Sequence, residues 1–154
     1  MNEEYMKLAL YEATKGLQKD EVPVGTIIVC DGKIISRGHN KREKNKNALL
    51  HAEIVAINKA CKKLKSWRLE NCDIYVTLEP CPMCAGAIIN SRIKNVYFGA
   101  KDPKSGAFGS VINLAEVKEL NHKPNLVGGI MEEECGSLLT NFFKEKRQKV
   151  AKNN

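Results

Sequence analysis

The segment Gly25–Gly38, GTIIVCDGKIISRG, carries the pattern that decides the fold. Two β-branched runs, 25–30 and 33–38, flank the dipeptide Asp31-Gly32, which is a strong short signal for the two-residue turn of a β-hairpin. We therefore predict that a hairpin opens the sheet and that the other elements are arranged around it.

Helical patterns lie on both sides of this hairpin. Upstream, apolar residues recur at the spacing of one helix face; they are Met6, Ala9, Leu10, Ala13 and Leu17. Downstream, the stretch from about His51 to Leu64 is apolar on nearly all sides, which predicts a buried helix. A third helix should begin at Pro82, because proline suits a first helical turn. The last helix should run from Glu132 to about Lys146.

Three short β-rich segments complete the pattern; they are Asp73–Leu78, Asn95–Phe98 and Asn125–Ile130. Strands that alternate with helices after an initial hairpin indicate an α/β fold. We predict a three-layer α/β/α sandwich, with helices on both faces of a mixed, mainly five-stranded sheet. The 154 residues contain no repeat or linker, so we expect residues 1–154 to form a single domain.

Composition excludes several classes of protein. Apolar residues make up 43% of the chain and charged residues 28%, which is typical of a globular rather than a disordered protein. No segment approaches the ~20 apolar residues that a membrane span needs, and residues 1–19 carry charges where a secretion signal would be apolar. We therefore expect no membrane partner and a cytoplasmic location, in which the six cysteines stay reduced.

The net charge of +7 is concentrated near the C-terminus. Residues 144–154 contain five lysines and arginines against Glu145 alone. A basic tail of this kind suggests an anionic partner, with nucleic acid first. A solvated helix end, where cations suit the helix dipole, explains it equally well.

The residues with metal-binding chemistry lie in two short motifs, HAE at 51–53 and PCPMC at 80–84. Cys81 and Cys84 are three residues apart at a predicted helix start, so both sulfurs can face one point. The helix N-terminus also favours the thiolate form that binds metal. Two thiolates with the imidazole of His51 point to Zn²⁺, and iron would also accept this ligand set.

The spacing of His51 and Glu53 sets a geometric condition. Residues two apart do not share a face of a regular helix, so they converge only if His51 lies at or before the first turn. Three protein ligands leave a position for water, as in catalytic zinc sites, whereas a fourth would make the site structural. Glu53 is the candidate base for that water. The candidate fourth ligands are His39, Cys30, Cys72 and His122.

HAE followed by PCPMC resembles the H-x-E…P-C-x-x-C signature of zinc nucleobase deaminases. Longer stretches, over nearly the whole chain, look like the bacterial tRNA-specific adenosine deaminases of the cytidine/deoxycytidylate deaminase superfamily. They include EVPVG at 21–25, GHN at 38–40, YVTLEPCPMCAGA at 75–87 and VYFGAKDPKSGAFGS at 96–110. Cytosine, guanine and deoxycytidylate deaminases share the short signature, but the longer pattern is more selective. The implied fold is cytidine-deaminase-like.

The resemblance implies a role for each matching residue. His51, Cys81 and Cys84 would hold one Zn²⁺ per subunit, with water in the fourth position. Glu53 would deprotonate that water, protonate N1 of adenine and pass a proton to the departing amine, which gives inosine and ammonia. The groups implied to contact the base are the side chain of Asn40 and the backbone around Ala52 and Pro80.

The implied substrate is adenosine at the wobble position of a tRNA anticodon loop, and the implied assembly is a homodimer with tRNA contacts from both subunits. A loop base is weakly stacked, so turning it into a pocket costs less than in a duplex. Basic, aromatic and loop residues supply candidate RNA contacts; they are Arg92, Asp102, Lys104, Ser105, Phe143, Lys146 and Arg147. Phe142 continues an apolar stripe and is expected in the core.

Structural roles are the alternative for several of these residues. Asn40 could end the hairpin strand, Arg92 could cap a helix, Trp67 is expected to have a packing role, and His122 is expected to be structural. The run Asn47-Ala48-Leu49-Leu50 replaces the Asp-Pro-Thr-Ala of many relatives, so family contacts from that loop are not carried over.

Three functions remain, in descending order of support. The first is tRNA wobble adenosine deamination. The second is deamination of a free base or nucleotide, such as guanine, cytosine or deoxycytidylate, which needs no basic tail. The third is RNA binding by a non-catalytic protein with a structural zinc, which predicts a fourth protein ligand and no loss of function in Glu53→Ala.

Overall fold

The computed structural model describes residues 2–153, which form ten helices and strands and one 3-10 turn. The strands are β1 (Gly25–Cys30), β2 (Lys33–His39), β3 (Cys72–Leu78), β4 (Asn95–Ala100) and β5 (Asn125–Val127). The helices are α1 (Asn2–Leu17), α2 (Arg42–Asn45), α3 (Ala52–Leu64), α4 (Pro82–Asn90) and α5 (Glu132–Asn153), and the 3-10 turn covers Leu114–Glu116.

The five strands form one mixed sheet in the order β2-β1-β3-β4-β5. The β1–β2 hairpin is antiparallel, and both turn residues, Asp31 (φ 51°) and Gly32 (φ 76°), have the left-handed backbone that a type I′ turn requires. Strand β1 also pairs antiparallel with β3, whereas β3, β4 and β5 are parallel to one another. The predicted hairpin and the mixed five-stranded sheet are therefore confirmed.

Helices cover both faces of this sheet, as predicted. On one face, Met6 and Ala9 of α1 and Cys135 of α5 pack against the strands. On the other face, Ala56 of α3 and Ile88 of α4 pack into the larger core. Because successive strand residues point to opposite faces, each central strand contributes side chains to both cores. The fold class is an α/β/α sandwich.

The ends of several elements differ from the predictions. Leu17 and Leu64 are the last residues of their helices and are 37% and 39% exposed, because the apolar stripe extends beyond the residues that pack. Strand β5 ends at Val127, three residues early, since the chain reaches Gly129 with a left-handed φ of 84°. Helix α5 continues to Asn153 through the basic segment, whose residues have high helix propensity without an apolar stripe.

None of the helices formed by residues 2–153 has the length and apolar character needed to cross a bilayer. The six cysteines are all free thiols.

Two glycines bring strands against helix backbone. A Cβ at Gly38 in β2 would lie 2.5 Å from the carbonyl oxygen of Ala52 and 2.9 Å from the amide nitrogen of Ala56. A Cβ at Gly25 in β1 would overlap the carbonyl oxygen of Ala9. Glycine at these positions therefore lets β2 approach the first turns of α3 and lets β1 approach α1.

We expect Gly38→Ala to lower the free energy of unfolding by about 1–3 kcal/mol, because backbone atoms must move to admit the methyl group. The matched control is Gly86→Ala in α4, where nothing lies within 4 Å of the added Cβ. That change should be neutral or stabilise by up to about 1 kcal/mol through helix propensity. Urea unfolding measures both. Equal stability of Gly38→Ala and the unchanged protein would contradict the close approach.

Candidate active site

The HAE and PCPMC motifs meet at the N-terminal ends of two helices. His51 is the N-cap of α3 and Cys81 is the N-cap of α4, both with extended backbone. Pro82 occupies the first position of α4, where its missing N–H is not needed, and Cys84 lies in the same turn. His51 therefore precedes the first helical turn, which is the condition under which His51 and Glu53 can face one point.

The donor atoms of His51, Cys81 and Cys84 form a compact cluster. The Nδ1 atom of His51 lies 3.6 Å from the Sγ atom of Cys81 and 3.6 Å from that of Cys84, and all three donors lie within 4.8 Å of one another. Around a tetrahedral zinc with ordinary bond lengths, a nitrogen and a sulfur ligand are about 3.6 Å apart. The cluster therefore fits a metal site of the zinc type.

No fourth protein donor joins this cluster within residues 2–153. His39 is hydrogen bonded to Glu12, and the Nε2 atom of His122 lies 2.6 Å from the carbonyl oxygen of Ile93. Cys30 and Cys72 face each other across β1 and β3. The four residues considered as further ligands thus lie elsewhere, and a three-ligand site with an open position remains.

Hydrogen bonding makes one of the two cysteines acidic. The thiol of Cys84 donates to the sulfur of Cys81, and this bond, aided by His51 and opposed by burial, lowers the pKa of Cys81 to about 4. The same bond, together with burial, raises the pKa of Cys84. The N-terminal ends of α3 and α4 also favour negative charge here. The site therefore supplies a ready thiolate and a second thiol that a bound cation would deprotonate.

Glu53 is buried beside the cluster. Its side chain, in the first turn of α3, is only 4% exposed. Burial raises the pKa of Glu53 to about 7, and nearby Cys81 adds to this effect. A carboxyl group with a pKa near neutrality can both accept and release a proton, as general acid–base chemistry requires.

Asn40, Ala52 and Pro80, which are expected to contact a base, all form hydrogen bonds within the protein. The Oδ1 atom of Asn40 accepts a hydrogen bond of 2.8 Å from the amide of Ala52, so Asn40 caps the start of α3. The carbonyl oxygen of Pro80 accepts a bond of 2.9 Å from the amide of Ala107. These two backbone groups are thus engaged within the chain, and Nδ2 of Asn40 is the polar atom of this set that a base could use.

The loop after β4 lies next to Pro80. The Oδ1 atom of Asp102 accepts hydrogen bonds from the amides of Lys104 and Ser105, at 3.0 and 3.1 Å. This is the turn chemistry that the sequence predicts for the loop. The side chains of Lys104 and Ser105 are exposed.

Arg92 lies at the far end of α4 from the cluster of His51, Cys81 and Cys84. Its guanidinium donates to the carbonyl oxygens of Ile89 and Asn90, at 3.0 and 3.2 Å, so it caps the helix. Trp67 packs at the surface, where its side chain is 57% exposed. The guanidinium groups of Arg68 and Arg92 lie 4.8 and 5.7 Å from the centre of the Trp67 ring.

Phe143, Lys146 and Arg147 form one exposed face of α5. With Val150 they line a shallow cleft of about 330 Å³. Phe142 is buried, as expected, and the Lys146 ammonium lies 5.3 Å from the centre of its ring. Three of the seven residues predicted to contact RNA are therefore brought together on one surface.

Two buried carboxylates near the site were not singled out in the sequence. Glu21, 1% exposed, accepts hydrogen bonds from the amides of Glu43 and Lys44 at the start of α2. Glu79, 2% exposed, accepts bonds from the loop that contains Asp102. Glu79 directly precedes Pro80 and Glu21 lies two residues before Pro23, both in stretches that carry the family resemblance, but their burial depends on segments distant in sequence.

Comparison with known proteins gives consistent matches over the chain. The profile of the MafB19-like deaminase family matches residues 1–147. The tRNA-specific adenosine deaminase of Bacillus subtilis (strain 168) is 50% identical, over 99% of this chain and 96% of that protein. A solved structure from biochemical and structural studies of A-to-I editing by tRNA:A34 deaminases at the wobble position has a TM-score of 0.86, with 42% identity over 88% of this chain and 99% of that one. The guanine deaminase of Bacillus subtilis has a TM-score of 0.62, with 41% identity over 64% of each chain.

Proposed function

The chain belongs to the MafB19-like deaminase family and, within it, to the tRNA-specific adenosine deaminases, and from this membership we propose that it converts adenosine to inosine at the wobble position of a tRNA anticodon loop. The observation that carries the proposal is the placement of buried Glu53 beside three converging donors from His51, Cys81 and Cys84. Hydrolytic deamination needs an activated water and a group that moves its proton, and this site can supply both.

We propose Zn²⁺ as the metal held by His51, Cys81 and Cys84. When bound, zinc supplies Lewis acidity that makes a water molecule nucleophilic at neutral pH. Glu53 takes one proton from the attacking water and delivers it to N1, and it then moves a second proton, from the hydroxyl group added at C6, to the departing amine. Asn40 orients the base through Nδ2, while its Oδ1 atom holds the start of α3 in place.

The RNA substrate is proposed to contact the basic face of α5. Lys146 and Arg147 lie beside the exposed ring of Phe143, and bases stack on aromatic side chains while cations neutralise phosphates. Lys146 also reaches Asp20, just beyond the C-terminal end of α1, at 3.6 Å. Helix α5 continues this face beyond its last buried residue, Phe142.

We expect the double variant Lys146→Ala/Arg147→Ala to bind an anticodon stem-loop more weakly and with less salt dependence. Each lost phosphate contact should reduce the slope of log K against log salt by about 0.7. The control is Lys33→Ala, which removes an exposed lysine at the hairpin turn. The hydroxyl of Tyr5, near the start of α1, donates a hydrogen bond to Gly32 in that turn, so Lys33 lies near the N-terminal end of α1. Lys146 lies near the C-terminal end of the same helix. Fluorescence anisotropy at several salt concentrations measures the slopes. An unchanged slope in the double variant would remove this face from the RNA interface.

We propose that the protein acts as a homodimer in the cytoplasm. A group of apolar side chains follows the Asp102 loop and is 41–54% exposed, which is unusual for a surface that faces only water; its members are Val111, Ile112, Val117 and Leu120. A second copy of this chain would cover it. Sedimentation equilibrium tests the dimer, and a monomer at micromolar concentration would contradict it.

A panel of substrates tests the proposed activity. The metal-loaded protein is incubated with an anticodon stem-loop that carries adenosine at the wobble position, and separately with free adenosine, guanine and cytosine. Conversion of the stem-loop alone is the expected result. Conversion of guanine or another free base would favour the second candidate, which rests on the similarity to the Bacillus subtilis guanine deaminase. No conversion of any substrate would favour a structural metal.

A further inference from the structure

The carboxylate of Glu79 has an unusual environment. Glu79 directly follows β3 and lies two residues before the metal-ligand candidate Cys81, and it is 2% exposed. Within residues 2–153, no lysine or arginine lies within ion-pair distance of it. Burial of a carboxylate without a cation is unfavourable unless hydrogen-bond donors replace the lost water. The hydrogen-bond donors around Glu79 therefore explain how its carboxylate can be buried.

All the donors come from one loop, residues 102–110. The Oε1 atom accepts from the amide of Asp102 at 3.2 Å and from the hydroxyl of Ser110. The Oε2 atom accepts from the amides of Phe108 and Ser110, both at 3.1 Å. Gly106 lies so close that a Cβ there would overlap the carboxylate. The loop is thus wrapped around the two carboxyl oxygens of Glu79.

The same loop is also hydrogen bonded to Pro80, the residue next to the proposed metal ligand Cys81. The amide of Ala107 donates to the carbonyl oxygen of Pro80, the residue between Glu79 and Cys81. The exposed side of the loop carries Lys104 and Ser105, whose turn is closed by Asp102. The loop therefore has a fixed conformation next to the proposed reaction centre, and Lys104 gives its exposed side a basic group.

We propose that Glu79 is a positioning residue for RNA binding: its carboxylate holds the 102–110 loop in the shape in which Lys104 and Ser105 meet nucleotides that flank the reacting base. This inference rests on the proposed tRNA substrate. Glu79 touches neither the base nor the metal donors; it acts through the loop. Its removal should therefore affect substrate binding more than the chemical step.

Glu79→Gln is a sharp test because the side chain keeps its size. One carboxylate oxygen becomes an NH₂ group, which then faces amide or hydroxyl donors instead of accepting from them. We expect KM for an anticodon stem-loop to rise at least about tenfold, since small displacements of positioning groups have effects of this order or larger. We expect kcat to change by less than about threefold and the zinc content to be unchanged.

Hydrogen–deuterium exchange provides a readout that does not depend on activity. In Glu79→Gln the amides of residues 102–110 should exchange faster, while those of β1 and β3 should keep their protection. Ser110→Ala, which removes one of the four donors, should give a smaller rise in KM. The control is Leu69→Ala, a buried residue outside the site, which should lower global stability without a selective change in the loop or in KM.

The possible results separate cleanly. Unchanged KM and loop exchange in Glu79→Gln would overturn the proposal, as would loss of zinc with a fall in kcat, because Glu79 would then support Cys81 instead. A rise in KM matched by Leu69→Ala at equal loss of stability would reduce Glu79 to a structural role.

If the unchanged protein does not convert the stem-loop, the proposed function fails, and the proposed role in RNA binding fails with it. Faster loop exchange in Glu79→Gln would then still establish that Glu79 holds the loop.

Discussion

Glu53→Gln is expected to bind its metal and an anticodon stem-loop normally and to deaminate about 10²–10⁴ times more slowly than the unchanged protein. The amide has nearly the same shape as the carboxyl group but cannot take a proton from water. Glu53 is buried at the start of α3 beside Cys81 and Cys84, so its carboxyl group is the one that we expect to move the proton.

Single-turnover rates measure this effect directly, and anisotropy with the same stem-loop measures binding. The control is Glu132→Gln, an exposed glutamate in the first turn of α5, which should retain full activity. A Glu53→Gln protein with more than about a tenth of the unchanged rate would remove the general acid–base role. That result would favour a structural metal.

Cys84→Ser is expected to lose the metal and the activity together. Cys84 is fully buried and its sulfur lies 3.6 Å from Nδ1 of His51. A hydroxyl is a much poorer zinc ligand than a thiolate, and even changes outside the ligand set reduce metal affinity 10–100-fold, so affinity should fall by at least about a hundredfold. The control is Cys61→Ser, a half-buried cysteine at the other end of α3, which should keep both metal and activity.

Metal binding should also stabilise the fold. Zinc at about 100 times its dissociation constant should raise the free energy of unfolding by about 2.7 kcal/mol in the unchanged protein, and Cys84→Ser should show no such increase. A chelator should abolish activity, and added Zn²⁺ should restore it. Full metal content in Cys84→Ser, measured by atomic emission, would show that the metal has other ligands.

Local patterns allowed much of the fold to be predicted from the sequence. The Asp31-Gly32 turn, the apolar stripe through Met6 and Ala9, and proline at the start of α4 each specify an element through residues close in the chain. The convergence of His51, Cys81 and Cys84 was predictable for the same reason: the three residues lie at the ends of predicted elements, and a common edge of the sheet brings them together.

Features that depend on distant partners could not be predicted. The burial of Glu79 requires donors 23–31 residues away, and nothing in its local sequence distinguishes it from a surface glutamate. The contact of Trp67 with Arg92 joins residues 25 apart in sequence, and Arg92 lies just beyond the end of α4. The long extension of α5 carries no apolar periodicity beyond Phe142, so periodicity alone placed its end too early.

Position-resolved sequencing of a full-length tRNA tests the central claim most directly. The tRNA carries adenosine at the wobble position and at other positions of the anticodon loop, and inosine is identified because it is copied as guanosine. We expect the metal-loaded protein to convert the wobble position alone and Glu53→Gln to convert none. Conversion spread over several loop positions, or none by the unchanged protein under conditions where it holds zinc, would contradict the account.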